Sequence, residues 1–170
     1  MDTRDILRDA FHRIPALMRQ HAADADDHLL HTRLDAAANP LAWLLWHTAR
    51  QQDFQVAALA GRDQVWLADG WSDRFALPVD PEDHGYGHTR DQVASVRVGD
   101  ADLLVGYQDA VTAMIDGYLD GVDADELARV IDTSYDPPVT AGVRLVSILD
   151  DALQHLGQAA YLRGVLERRR

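Results

Sequence analysis

The sequence contains no cysteine. Disulfides, thiolate ligation of a metal and a cysteine nucleophile are thereby excluded, so any thiol chemistry needs a thiol from outside the chain. No apolar run approaches the ~20 residues of a membrane span. The opening Met1-Asp-Thr-Arg-Asp lacks the basic start and greasy middle of a secretory leader. Basic residues are scarce: 16 against 28 acidic ones, a net charge of −12. That balance argues against nucleic acid as a partner, because neutralising phosphates needs a basic surface. The terminal Arg168-Arg169-Arg170 is too short to reverse it and suits a helix C-terminus, where cations are favoured. No strand-length alternation, internal repeat or low-complexity tract stands out. These absences lead us to expect a cytoplasmic chain without membrane contact.

What is present is helical periodicity. With 170 residues, 47% of them hydrophobic, the chain can bury a real core, and we expect one domain over 1–170. Asp2 or Thr3 caps a first helix whose face is Leu7, Phe11, Ile14 and Met18, with Pro15 expected to bend it. His28–Asp35 reads as a short helical piece. Asn39-Pro40 reads as N-cap and first residue of a second helix that Gly61 ends near Ala60. Its face is Leu44, His47, Gln51, Phe54 and Ala58. Residues 62–88 hold two tryptophans, prolines and glycines and break the pattern, predicting a long ordered loop over the end of the bundle.

Thr89 caps a short helix ending near Val98. Asp100 starts a third long helix, Ala101–Leu119, facing inward with Leu103, Tyr107, Ala110 and Met114. A short acidic helix at Asp123–Ile131 and an extended linker at Tyr135-Asp136-Pro137-Pro138 follow. Thr140 then caps the last helix. Its face runs in threes and fours through Leu145, Ile148, Ala152, His155, Ala159, Leu162 and Leu166. Four long helices with one apolar face each make an all-α four-helix bundle, with short extra helices and a long loop between the second and third.

Histidine on such a seam needs a partner. His155 has Asp151 one turn before it, and His47 lies in the seam of the second helix. If the second and fourth helices are neighbours, the three converge on one divalent metal. Imidazole and carboxylate suit zinc, nickel or iron(II), and three protein ligands leave positions open for water or substrate. The competing reading is a hydrogen-bonded polar pair without metal.

Two segments add a family resemblance. Asn39-Pro-Leu-Ala-Trp-Leu-Leu-Trp-His47-Thr-Ala-Arg50-Gln-Gln-Asp53 resembles the second-helix motif of the DinB-like superfamily. It is most similar to the actinobacterial branch of mycothiol-dependent transferases and maleylpyruvate isomerases. Asp151-Ala-Leu-Gln-His155-Leu-Gly157-Gln158, with Tyr161-Leu-Arg163-Gly164, resembles that family's last-helix motif, and Gly85-Tyr86-Gly87-His88-Thr89 the segment before its third helix. The resemblance implies a bundle, often homodimeric, with a divalent metal held by His47, Asp151 and His155. Many relatives carry histidine where this chain has Asp151. It also implies transfer of a low-molecular-weight thiol such as mycothiol to a small electrophile. The alternatives are a metal-dependent hydrolase and a non-catalytic metal-binding or protein-interaction bundle.

Arg50 and Gln51, one turn beyond His47, and Gln158, one turn beyond His155, are candidate substrate contacts, and Trp66 is a candidate substrate wall. Each has a structural counter-reading: an ion pair of Arg50 with Asp53, a helix–helix hydrogen bond for Gln158, a core anchor for Trp66. His12, His21, His28, His31, His84 and His88 are expected near the surface, with His84 and His88 able to reach the mouth of the site.

Overall fold

The structure, a computed structural model, describes residues 2–169. Four long helices carry it: α1 (Thr3–Ala22), α3 (Leu41–Ala60), α7 (Ala101–Leu119) and α9 (Ala141–Arg168). Helix α2 (Asp27–His31) lies between the first two. Helices α4 (Val65–Ala68), α5 (Trp71–Phe75) and α6 (Arg90–Ser95) lie between α3 and α7. Helix α8 (Ala124–Ala128) and a two-stranded antiparallel hairpin, β1 (Val130–Asp132) and β2 (Val139–Thr140), lead into α9. None of the helices is long and apolar enough to cross a membrane, among the described residues.

Helix α3 packs along α7 and α9, and α1 packs along the same two, so α1 and α3 face each other across a diagonal. The second and fourth long helices are therefore neighbours. They run antiparallel, since Gln51 reaches the Ile148 carbonyl and Gln55 meets Arg144. The core is the meeting of the four inward faces: Phe11, Ile14 and Met18 of α1; Leu45, Trp46 and Val56 of α3; Leu104, Tyr107 and Val111 of α7; Leu145, Ile148, Leu156 and Leu162 of α9.

The helix ends follow their local chemistry. Asp2 and Asp5 form a reciprocal capping box on α1, and Thr89 and Gln92 form another on α6. Thr140 accepts the Val143 amide at the start of α9. Gly61 takes the left-handed conformation that ends α3.

Three expectations are corrected. Helix α3 begins at Leu41, with Pro40 rather than Asn39 as its N-cap and no side-chain cap. Pro40 has no amide hydrogen of its own, its extended backbone turns the chain in, and its carbonyl accepts the Leu44 amide at 3.1 Å. The segment read as helix up to Ile131 ends at Ala128, and Val130–Asp132 pairs with Val139–Thr140, so a small strand pair exists. The 62–88 segment is not bare loop, because α4 and α5 form within it. Pro15 is buried within α1, which runs past it to Ala22.

Candidate metal centre

The first part of helix α3 is sheathed on all sides: every residue from Leu41 to Asp53 is buried, including His47, Thr48, Arg50, Gln51, Gln52 and Asp53. Buried polar groups require partners, and those partners decide which residues are left for chemistry. Asp53 accepts the Val65 and Trp66 amides at 2.9 and 2.8 Å and the Tyr107 hydroxyl at 2.7 Å, so it anchors the start of α4.

Arg50 has no exposed surface. It donates to the Asp83 carbonyl through two nitrogens at 3.1 Å and to Gln64 Oε1 at 2.8 Å. It also lies 3.6 Å from Asp53 and over the Trp66 ring. Its guanidinium is fully engaged, which corrects the expectation that it contacts substrate. The ion-pair counter-reading describes it instead. Trp66 is corrected likewise: it is buried in an aromatic cluster with Trp46, Phe75 and Tyr107. Gln158 is exposed, bonds the His155 ring and lines a separate groove with Tyr161 and Leu34.

His47, Asp151 and His155 do come together. One donor atom from each lies within 4.8 Å of the others. The His47 and His155 rings meet edge to face at 4.8 Å, and His155 Nε2 stands 3.5 Å from Asp151 Oδ1. His47 is 5% exposed, whereas Asp151 and His155 are half-buried, so the cluster sits at the inner end of a cleft rather than on a dry seam.

The ring nitrogens are assigned by their partners. A carbonyl only accepts, so His47 Nδ1 carries the proton it gives to the His84 carbonyl at 2.5 Å. His47 Nε2 is then the free lone pair. His155 Nδ1 pairs with Gln158 Oε1 at 3.3 Å, which leaves its Nε2 toward Asp151. Metal-ligating histidines are held this way, by a hydrogen bond to the other ring nitrogen.

The electrostatics agree. Burial, with the neighbouring His155, pulls the His47 pKa down to about 4 despite the His84 carbonyl, keeping the imidazole neutral as a ligand must be. Burial works against ionisation of Asp151, but the His155 ring 3.5 Å away and the His47 ring beside it outweigh that, and its pKa lies below the usual carboxylate value. Its Oδ2 is shielded from solvent and meets no donor among the described residues. A buried carboxylate oxygen without a donor, aimed beside two free imidazole nitrogens, fits a divalent cation.

The loop before α6 holds this geometry. His88, expected near the surface, has a buried side chain: Trp43 Nε1 donates to its Nδ1 at 3.1 Å, and its Nε2 donates to Asp83 Oδ2 at 2.7 Å. Asp83 Oδ1 accepts the Gly85 amide at 2.8 Å, and Trp43 stacks on His47 at 4.6 Å. Gly85 has φ +95°, and a Cβ there would fall 2.7 Å from His47 Nδ1. His21 is a second buried histidine that sequence reasoning placed outside.

Beyond the cluster a cleft of about 320 Å³ opens between α3 and α9. Gln51, Phe54 and Gln55 line it from α3, Ser147 and Arg144 from α9, and His84 and Tyr86 from the loop. Gln51 thus lines the cleft beside the cluster. Arg144 and Gln55 were missed; the available signal was spacing, since Arg144 lies two helical turns before Asp151.

A sequence profile described as the DinB superfamily matches residues 10–159. The chain belongs to the DinB superfamily. Its members often bind a divalent metal. Among solved structures, the conserved protein of a locus from Enterococcus faecalis is 36% identical, with 96% of each chain covered and a TM-score of 0.89. No curated protein matches the chain. The fold of this superfamily member is the all-α bundle that the periodicity predicts.

Proposed function

We propose that this DinB superfamily member is a divalent-metal-dependent enzyme in which His47 Nε2, His155 Nε2 and Asp151 hold the ion, zinc, nickel or iron(II) being the metals this donor set suits. The observation that carries the reading is the solvent-shielded Asp151 Oδ2, without a donor, beside two imidazoles whose other nitrogens are already occupied. A divalent ion held there lowers the pKa of a thiol or water that shares it. The remaining work falls to the chain. The His84 carbonyl and Gln158 orient the imidazoles, Trp43 covers His47, and the cleft between α3 and α9 receives a small molecule.

We favour transfer of a low-molecular-weight thiol to a small electrophile, as in the mycothiol-dependent branch. The lack of cysteine is consistent with a borrowed nucleophile. A metal-dependent hydrolase is the second reading, favoured by the exposure of the cleft to water. Homodimerisation and a cytoplasmic setting belong to the same proposal.

The test is elemental analysis of protein purified without added metal, followed by assays of an electrophile panel with and without thiol. Near-stoichiometric metal that His47→Ala and His155→Ala abolish, together with thiol-dependent turnover, supports the proposal. Turnover that persists without thiol favours hydrolysis. Little metal, unchanged by either substitution, overturns it.

A further inference from the structure

The cleft has a second chemical pole. Arg144 lies seven residues before Asp151 on α9, almost directly below it, at a rise of about 10 Å. It is half-buried and lines the same cleft. Within the described residues no carboxylate lies within ion-pair distance of it. Arg8, Arg19, Arg97 and Arg129, by contrast, each grip an aspartate or glutamate. Arg33 is likewise half-buried without an acid, but two of its nitrogens go to the Ala38 and Arg90 carbonyls. Asp132 feels its charge but stands beyond contact.

A chain of amides holds Arg144 in place. Gln51 Nε2 donates to the Ile148 carbonyl at 3.2 Å, and Gln55 Nε2 donates to Gln51 Oε1 at 2.7 Å. That turns Gln55 Oε1 to accept from Arg144 at 3.3 Å. One donor of the guanidinium is thus engaged and the rest of its fork is free. Phe54 and Tyr86 line the same cleft: Phe54 stacks on His84 at 4.5 Å while remaining 39% exposed, and Tyr86 is 87% exposed. These rings offer a face to a flat or apolar body. The volume, about 320 Å³, suits a small molecule.

We propose that Arg144 is the anion-receiving end of this cleft and that the ligand is a small monocarboxylate with an apolar or aromatic body. The planar fork matches a carboxylate through two parallel hydrogen bonds. A single guanidinium, with the Asp151 carboxylate in the same cleft, favours a monoanion over a phosphate dianion. The assignment of this ligand as substrate rests on the metal-site reading; the subsite itself does not.

The experiment uses full-length protein, as purified and after chelator treatment, titrated calorimetrically with 3-phenylpropionate and with its neutral amide. Metal content is measured on the same samples. The acid should bind about tenfold tighter than the amide or better, before and after chelation. Arg144→Gln should erase the preference and Arg144→Lys should leave an intermediate one, with helical content unchanged in both. Equal affinities for acid and amide in the wild type, or a preference that survives Arg144→Gln, overturns the proposal. A preserved, Arg144-dependent preference in protein that takes up no metal upholds this subsite while overturning the metal-site reading.

Discussion

Gly85→Ala isolates the loop that orients His47. The backbone at Gly85 has φ +95°, a region that costs a residue with a side chain about 1–3 kcal/mol. The new methyl would also fall 2.7 Å from His47 Nδ1, 3.0 Å from the Trp46 ring and 3.3 Å from the Trp43 ring. None of these neighbours is the free end of a flexible chain, because all three side chains are buried. Relief therefore requires the loop to lift, which pulls the His84 carbonyl from the His47 ring. Loss of such an orienting bond typically costs 10- to 100-fold in metal affinity. We expect a stability loss of about 2–4 kcal/mol, read as a melting point lower by roughly 5–15 °C. Chelator competition with zinc should show about a tenfold or greater loss of affinity. A variant that melts with the wild type and holds zinc equally tightly would refute the role given to the His84 carbonyl.

Other substitutions separate the site from the scaffold. Asp151→Ala should lose metal, while Asp151→His, which restores a third nitrogen donor, should keep it; the check is metal stoichiometry after dialysis. Asp53→Asn leaves the buried Arg50 without its counter-charge and should cost about 3–5 kcal/mol in urea denaturation without removing metal. For chelated protein, the unfolded state takes a proton at His47 below its ordinary pKa of 6.5, whereas the folded state does so only near 4. Stability should therefore fall as pH drops through that window, by at most about 3 kcal/mol, and His47→Gln should flatten this part of the profile in acid-unfolding curves.

The bundle was legible because its three outer helices each pair one apolar face with one wet face. The first face packs through Phe11, Ile14 and Met18 and the fourth from Leu145 to Leu166 with His155 half-buried, while on the third Tyr107 and Met114 are buried and Leu103 and Ala110 only half so, Leu104 and Val111 lying deeper. Helix α3 follows a different rule. Its inner half is buried all round, with Arg50, Gln52 and Asp53 satisfied by Asp83, Gln108 and α4 rather than by water. Periodicity therefore selects a face through Phe54 and Ala58 that in fact runs out to the surface. It also made Arg50 and Trp66 look available, when pairing and packing had already consumed them. The strand pair escaped notice because two or three residues per strand are too few to show alternation.

The triad was legible for a simpler reason. Two of its members lie one turn apart on one helix, and the third needed only the neighbouring of α3 and α9. What orients the imidazoles was not, because a backbone carbonyl has no sequence signature. Arg144 was hidden because a lone arginine on a helix looks like any solvated charge; only the arrangement around it, acids absent and an amide chain present, sets it apart. Charge links the two poles of the cleft. With Asp151 as the one anionic donor, a divalent ion at the triad would retain one net positive charge, and an anionic thiol would bring that end to neutrality. Neutral ground there leaves nothing to attract an anionic partner molecule. Arg144, two turns away, supplies the attraction where it does not compete with the thiol for the ion, so an electrophile bearing a carboxylate would approach with its neutral part toward the triad.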